Sequence, residues 1–251
     1  MSDRPRIRLF VDQPLRAGQT VDLSREQANY LFNVMRLGPG DAVALFNGRD
    51  GEWRAVVEAA GKRGGQLLCE AQTAPLQPPP DLWLLFAPIK KARTDFIVEK
   101  AVEMGASRIL PVQTDFTNAE RTRQDRLQAH AVEAAEQCGA TVVPPVEALR
   151  KLDAVLAAWP GDRRLILCDE AEAGSSAALP SLVADPGDDV RPGGGAAILI
   201  GPEGGFSPAE RARLRALPFV TILPLGPRIL RADTAAVAAL ALVQATLGDW
   251  R

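Results

Sequence analysis

The chain has 251 residues, a formal net charge of −2 and 47% hydrophobic residues. That length carries one large domain or two modest ones with a sizeable buried core, so a folded chain is expected. The near-neutral charge excludes a blanket electrostatic grip on nucleic acid, so a polyanionic partner has to be met by local basic patches.

The start MSDRPRIRLFV lacks the apolar core and cleavage site of a secretory signal, and no apolar run reaches the roughly 20 residues of a spanning helix. A soluble, cytoplasmic protein without membrane contact is expected. Next in the chain, SREQANYLFNVMRLGPGD places Ser24 and Gln27 in a capping-box arrangement and predicts a helix that ends at Gly38-Pro39-Gly40. Arg36 near its end is either a solvated cation favoured by the helix dipole or an RNA contact. The stretches AVALFN and EWRAVVEA flank Asn47-Gly48-Arg49-Asp50-Gly51, a turn suited to a hairpin, so residues 1–74 read as a small β-barrel. The proline-rich stretch TAPLQPPPDL contains the linker, residues 75–81.

From residue 82 to 251, short apolar runs (LWLLFAP, RILPV, RLILCDE, AAILIGPEGG, VTILPLG) alternate with helical patterns, which predicts a mainly parallel sheet covered by helices. The helix over residues 94–104 closes at Gly105. The loop DPGDDVRPGGG is the one biased segment besides the linker. Cys69, Cys138 and Cys168 are odd in number and show no CxxC spacing, so reduced and mostly buried thiols are expected. His130 is the single histidine, which excludes a histidine-rich metal site, and no G-x-S-x-G elbow accompanies it. No metal is expected.

Two stretches carry chemistry. In ILIGPEGGFSPAE a buried strand runs into a short loop, and Ser207-Pro208-Ala209-Glu210 supplies an N-cap, a proline at the first helical position and a capping-box glutamate. Gly201, Gly204 and Gly205 let backbone atoms approach a ligand, or simply make a tight strand-to-helix turn. The Lys-Ser/Thr of a phosphate-binding loop is missing, G-x-G-x-x-G is absent, and Glu203 would repel a phosphate, so a neutral or cationic ligand suits the loop better. In LPLGPRILRADTAAVAALALVQATLG the same strand, Gly-Pro turn and helix recur, with Arg228, Arg231 and Asp233 as the polar residues. Asp233 is either the cap of a helix starting at Thr234 or a catalytic group.

Together with NYLFNVMRLGPGD, APIKKARTDFIVEKAVEMGASRILPV and HAVEAAEQCG, these two stretches resemble the RsmE family of 16S rRNA uridine methyltransferases, in the SPOUT superfamily, over nearly the whole chain. The resemblance implies an N-terminal PUA-like domain for RNA and a C-terminal α/β domain tied in a deep trefoil knot, which sequence patterns alone do not reveal. It also implies a homodimer that binds S-adenosylmethionine in the knot loops and methylates N3 of one uridine in the decoding region of 16S rRNA, within the small ribosomal subunit. Mapped by motif, the cofactor residues are Leu167, Ile200, Gly201, Pro202, Gly204, Gly205, Leu223, Leu225, Gly226, Ile229, Leu230, Thr234 and Ala235. Arg231 is expected to stabilise the uridine anion, with Asp233, Glu203 or Glu170 accepting its proton.

Arg6, Arg8, Arg36, Lys90 and Lys91 are candidate phosphate contacts, and Arg121 joins them beside Arg123 and Arg126. Three residues depart from the family pattern: Phe116 and Ala140 stand where arginines are expected, and Tyr30 where histidine is common. Two other functions remain open at this level, a non-catalytic RNA-binding or ribosome-assembly protein with a vestigial pocket, and a methyltransferase for another RNA base.

Overall fold

The computed structural model describes residues 5–61, 64–174 and 195–250. Apart from Gly195, the loop DPGDDVRPGGG lies outside the described residues. The chain divides into two compact units, Met1–Pro78 with Ala135–Val143, and Pro79–Ala134 with Pro144–Arg251. The first division falls among the prolines, whose missing N–H groups leave nothing to extend a sheet. The return of Ala135–Val143 to the first unit is a long-range packing event that no local pattern signals.

In the first unit, β1 (Arg8–Phe10), β2 (Thr20–Asp22), β3 (Ala42–Phe46), β4 (Glu52–Gly61) and β5 (Gly64–Ala74) form one sheet in the order β1-β3-β4-β5-β2. β1 runs parallel to β3 and the other pairs are antiparallel. β1 and β2 are the ends of that order, so the observed architecture is a five-stranded sheet. Its core gathers Leu31, Val43, Leu45, Val57 and Leu67. The turn between β3 and β4 is held by Asn47, whose Oδ1 accepts the N–H groups of Arg49 (3.0 Å) and Asp50 (2.9 Å). The Leu15 N–H and the Asn47 amide donate to the Asp50 carboxylate and hold it below its ordinary pKa.

The capping box of Ser24 and Gln27 opens α1 (Arg25–Ala28), as the sequence predicts. The helix then widens into a π-helical turn over Asn29–Val34, and Met35 N–H reaches back to the Tyr30 carbonyl at 2.9 Å. It stops short of Gly38, because Arg36 makes the reversal itself at φ 59°, a left-handed conformation that costs an L-residue about 1–2 kcal/mol.

Arg8 corrects an expectation. It is buried: its Nε donates to Glu52 Oε2 at 2.7 Å, Nη1 to the carbonyls of Ala135 and Glu136, and Nη2 to that of Ala140 at 2.6 Å. The guanidinium thus satisfies the orphan carbonyls at the end of α3 (Gln124–Cys138) and is withdrawn from any RNA surface.

In the second unit, β6 (Leu82–Phe86), β7 (Arg108–Gln113), β8 (Arg150–Lys151), β9 (Arg164–Cys168), β10 (Ala196–Ile200) and β11 (Val220–Ile222) are ordered β11-β9-β10-β6-β7-β8. Every pairing is parallel. Strands β6, β9 and β10 are apolar and buried nearly throughout, as a sheet covered on both faces requires. The helices are α2 (Lys91–Glu103), the first turns of α3, α4 (Leu152–Ala157), α5 (Pro208–Arg215) and α6 (Ala232–Thr246). Gly105, at φ 77°, closes α2 as predicted. Near the amino ends of the strands, Trp159 stacks on Phe219 at 5.7 Å, and the Arg163 guanidinium lies 3.6 Å from the Trp83 ring. From β6 the chain steps outward through β7 and β8, then crosses to the other side for β9. An order that reverses in this way opens a crevice at the carboxyl ends of the strands.

Candidate active site at the carboxyl ends of β9, β10 and β11

A cavity of about 180 Å³ lies where these three strands end. Its first wall is the loop after β10. The Gly205 N–H donates to the Pro202 carbonyl at 2.9 Å, closing a tight turn, and Gly205 takes φ 66°. A Cβ at Gly205 would fall 2.4 Å from Glu170 Oε1, and one at Gly201 would press on the Phe206 ring at 3.0 Å. Gly205 is therefore favoured above all by its backbone, and Gly201 by tight packing on the buried Phe206 ring.

The far end of this wall is pinned by the capping box the sequence predicts. Ser207 Oγ accepts the Glu210 N–H, and Glu210 Oε2 accepts the Ser207 N–H, each at 3.1 Å. Buried Glu210 also takes the Asp115 N–H at 2.8 Å, while Ser207 Oγ donates to Asp115 Oδ2 at 2.5 Å. The β7 loop is thereby fastened to α5. It carries Phe116, half-exposed, within ordinary contact distance of any Cβ placed on Gly204.

The second wall follows β11. Leu223 N–H donates to the Leu167 carbonyl at 2.9 Å, and both side chains are fully buried beneath the cavity. Leu225, Gly226, Arg228, Ile229 and Leu230 line the cavity, with Ile229 72% exposed. The α6 N-cap is Arg231, which makes no side-chain capping bond. The helix begins at Ala232, so Asp233 lies in its first turn and does not cap a helix starting at Thr234. Its Oδ1 accepts the Thr234 N–H at 3.0 Å, and Arg93 is 3.8 Å away.

The third side is the segment after β9. Gly174 N–H donates to the Gly226 carbonyl at 3.1 Å and ties this segment to the second wall. The Asp169 side chain is fully buried and bound by Arg211, Nε to Oδ2 at 2.5 Å and Nη2 to Oδ1 at 3.0 Å. Asp169 in turn holds the Arg211 guanidinium above its ordinary pKa. Cys168, also in the lining, is pushed from 9.0 up to about 12 by burial, which removes it as a nucleophile.

Ile200, Gly201, Pro202, Gly205, Leu225, Gly226, Ile229, Leu230 and Ala235 therefore line one cavity, with the candidate catalytic residues Glu170, Glu203 and Arg231. Leu167 and Leu223 form the layer beneath it, while Gly204, Thr234 and Asp233 stand outside the lining. Sequence reasoning missed Cys168, Asp169, Ala173, Phe206 and Ala232. Cys168-Asp169 at the end of an apolar run was a usable signal, because sheet ligands sit at such ends.

Arg6, Arg36, Lys90, Lys91 and Arg121 are exposed. His130 Nδ1 lies 3.2 Å from Glu99 and its Nε2 3.7 Å from Asp95, with no hydroxyl nucleophile in that set. Among the described residues no group of three or more His, Cys, Asp or Glu is arranged to hold a metal ion, and no helix is long and apolar enough to cross a membrane. The three cysteines are free, Cys69 and Cys168 buried and Cys138 exposed.

An RNA methyltransferase domain family matches residues 77–244, and an RNA methyltransferase PUA domain family matches residues 23–68. Ribosomal RNA small subunit methyltransferase E of Synechocystis is 32% identical over 91% of this chain and 74% of its own length. The protein of that name from Rickettsia conorii is 26% identical over 94% of each chain. The crystal structure of ribosomal RNA small subunit methyltransferase E from Neisseria gonorrhoeae, bound to S-adenosyl methionine, superposes with a TM-score of 0.85 at 28% identity, covering 98% of this chain and 99% of its own.

Proposed function

The chain belongs to the ribosomal RNA small subunit methyltransferase E family of RNA methyltransferases, and on that premise we propose that it methylates N3 of a uridine in the decoding region of 16S rRNA, within the small ribosomal subunit, using S-adenosylmethionine. The observation that carries this reading is the single cavity enclosed by the two glycine-containing loops. Its residues fit a sulfonium cofactor. Ile200, Leu225, Ile229, Leu230 and Ala235 offer apolar surface, Gly201, Gly205 and Gly226 bring backbone to the cavity without side chains, and the carboxylates of Glu170 and Glu203 stand with the guanidinium groups of Arg228 and Arg231, a mixed lining that suits a ligand carrying charges of both signs. S-adenosylmethionine supplies an electrophilic methyl carbon.

The residues of this chain have two tasks, positioning the uracil and taking its N3 proton. Arg231, exposed at the α6 N-cap, supplies positive charge for the uracil anion. Asp169 is committed to Arg211, which leaves Glu170, Glu203 and Asp233 as the carboxylates for proton transfer. In this reading the two loops belong to a deep trefoil knot, the first unit is a PUA-like barrel that contacts RNA, and the enzyme acts in the cytoplasm as a homodimer. The exposed apolar side chains Phe96 and Trp250 of the second unit support the dimer.

The test is transfer of labelled methyl from S-adenosylmethionine to small ribosomal subunits that lack the modification, followed by nucleoside mass analysis. N3-methyluridine at one site is expected. Label in another base would change the assignment, and no transfer by folded, cofactor-binding protein would refute it.

A further inference from the structure

A second cavity in the same unit, of about 290 Å³, has no part in the chemistry above. It lies between the start of α2 and the segment that enters α3, and four cationic side chains, Lys91, Arg121, Arg123 and Arg126, line it. Two of these charges are already matched. Arg126 pairs with Asp95, the one carboxylate in the lining, and Arg123 pairs with Asp125. Lys91 and Arg121, both exposed, have no carboxylate partner among the described residues. The lining therefore keeps an unbalanced positive charge.

Two further features point to an oxyanion. Thr122, in the lining, has its Oγ1 buried without a hydrogen-bond partner. A buried hydroxyl left unpaired costs about 1–3 kcal/mol, so it is a donor in want of an acceptor. The N-cap of α2, Lys90, makes no side-chain capping bond, and with the Arg93 N–H turned back to the Lys90 carbonyl at 2.9 Å, the N–H groups of Lys91 and Ala92 are left for an outside acceptor. Thr94 does not fill that role, because its hydroxyl is engaged with the backbone of Ile89.

We infer that this cavity is a subsite for a backbone phosphate of the substrate RNA, held by Lys91, Arg121 and the Thr122 hydroxyl; the inference rests on the proposed reading that RNA is the substrate. It separates Lys91 and Arg121, which share the cavity, from Lys90, which does not line it.

The test measures binding of a labelled small-subunit rRNA fragment to the full chain at salt concentrations from about 50 to 200 mM, where each lost phosphate contact lowers the salt slope by about 0.7–0.9. The Lys91→Ala/Arg121→Ala double variant is expected to lower the slope by that amount, with Arg121→Ala and Lys91→Ala each giving part of it and weakening binding several-fold. Lys151→Ala, an exposed cation on β8 outside the cavity, is expected to leave both unchanged. Thr122→Val is expected to weaken binding without changing the slope, and unaltered affinity for S-adenosylhomocysteine certifies the fold of each variant. Wild-type slopes in both charge variants would overturn the inference while leaving the methyltransferase reading in place. Tight binding of inorganic phosphate at constant ionic strength, with RNA affinity unaffected, would assign the cavity to a free anion and also overturn it. Failure of the wild-type chain to bind RNA at all would instead remove the reading on which the inference rests.

Discussion

The two loops that enclose the first cavity share a design of strand, glycine turn and helix, yet they are fastened differently. The loop after β10 is held along its length: a turn closed by Gly205, a buried Glu210 with two backbone donors, and a link to Asp115 in the loop after β7. The loop after β11 is held only over its first half, by Leu223 to Leu167 and by Gly226 to Gly174, and beyond Gly226 it presents Arg228 and Ile229 to solvent and enters α6 without a side-chain cap. The contrast teaches a division of labour. One wall is a preformed cradle whose shape costs nothing at binding, and the other carries the groups that meet ligand.

The largest expected effect is on the pinned wall. Glu210→Ala deletes the capping box and the Asp115 bond at a buried position, and should destabilise the protein by about 3 kcal/mol in chemical unfolding. A loss under about 1 kcal/mol would mean that the wall is not pinned as described. On the other wall, Arg231→Ala should lower kcat for methyl transfer by about 10²-fold, with stability nearly unchanged, since it removes an exposed charge that acts on the reaction. Asp233→Asn separates its roles: a wild-type rate across the pH range would leave it only a first-turn carboxylate favoured by the helix dipole.

Alanine at the two glycines sets one wall directly against the other. Gly205→Ala forces a Cβ against Glu170 as well as straining the backbone, and should weaken S-adenosylhomocysteine binding about tenfold. Gly226→Ala meets no atom within 4 Å and bears only the cost of its φ of 97°, so a loss of about threefold is expected. Equal losses would erase the comparison. Ile229→Ser should reduce cofactor affinity a few-fold while changing stability by no more than about 0.5 kcal/mol, because the side chain packs on so little.

Much of this was legible in the sequence, for physical reasons. Capping boxes, helix-ending glycines and strand-length apolar runs are local codes, and Ser24-Gln27, Ser207-Glu210 and Gly105 all act as their spacing predicts. What was not legible depends on partners far along the chain. Arg8 reads as a surface cation until α3 brings its terminal carbonyls to it, 127 residues away. Asp169 drew no notice in the sequence, because its partner Arg211 comes from α5, 42 residues further along the chain. The start of α6 at Ala232 was missed because Arg231 caps it without a side-chain bond, so no capping residue marks the boundary.

The smallest effect concerns the thiol under the pinned wall. Cys168 has its pKa raised in the folded state, so its contribution to stability is complete below about pH 9 and is lost as pH rises from 9.0 toward 12. At about pH 8, alkylation should label exposed Cys138 and spare Cys168. Rapid labelling of Cys168 would show that the wall opens.

The central claim is that both loops form one S-adenosylmethionine pocket, and calorimetry with S-adenosylhomocysteine tests it most directly. The account predicts one binding event per chain, weakened by Gly205→Ala on one wall and by Ile229→Ser on the other. Absence of binding by the folded wild-type protein, or affinity indifferent to either substitution, would contradict it.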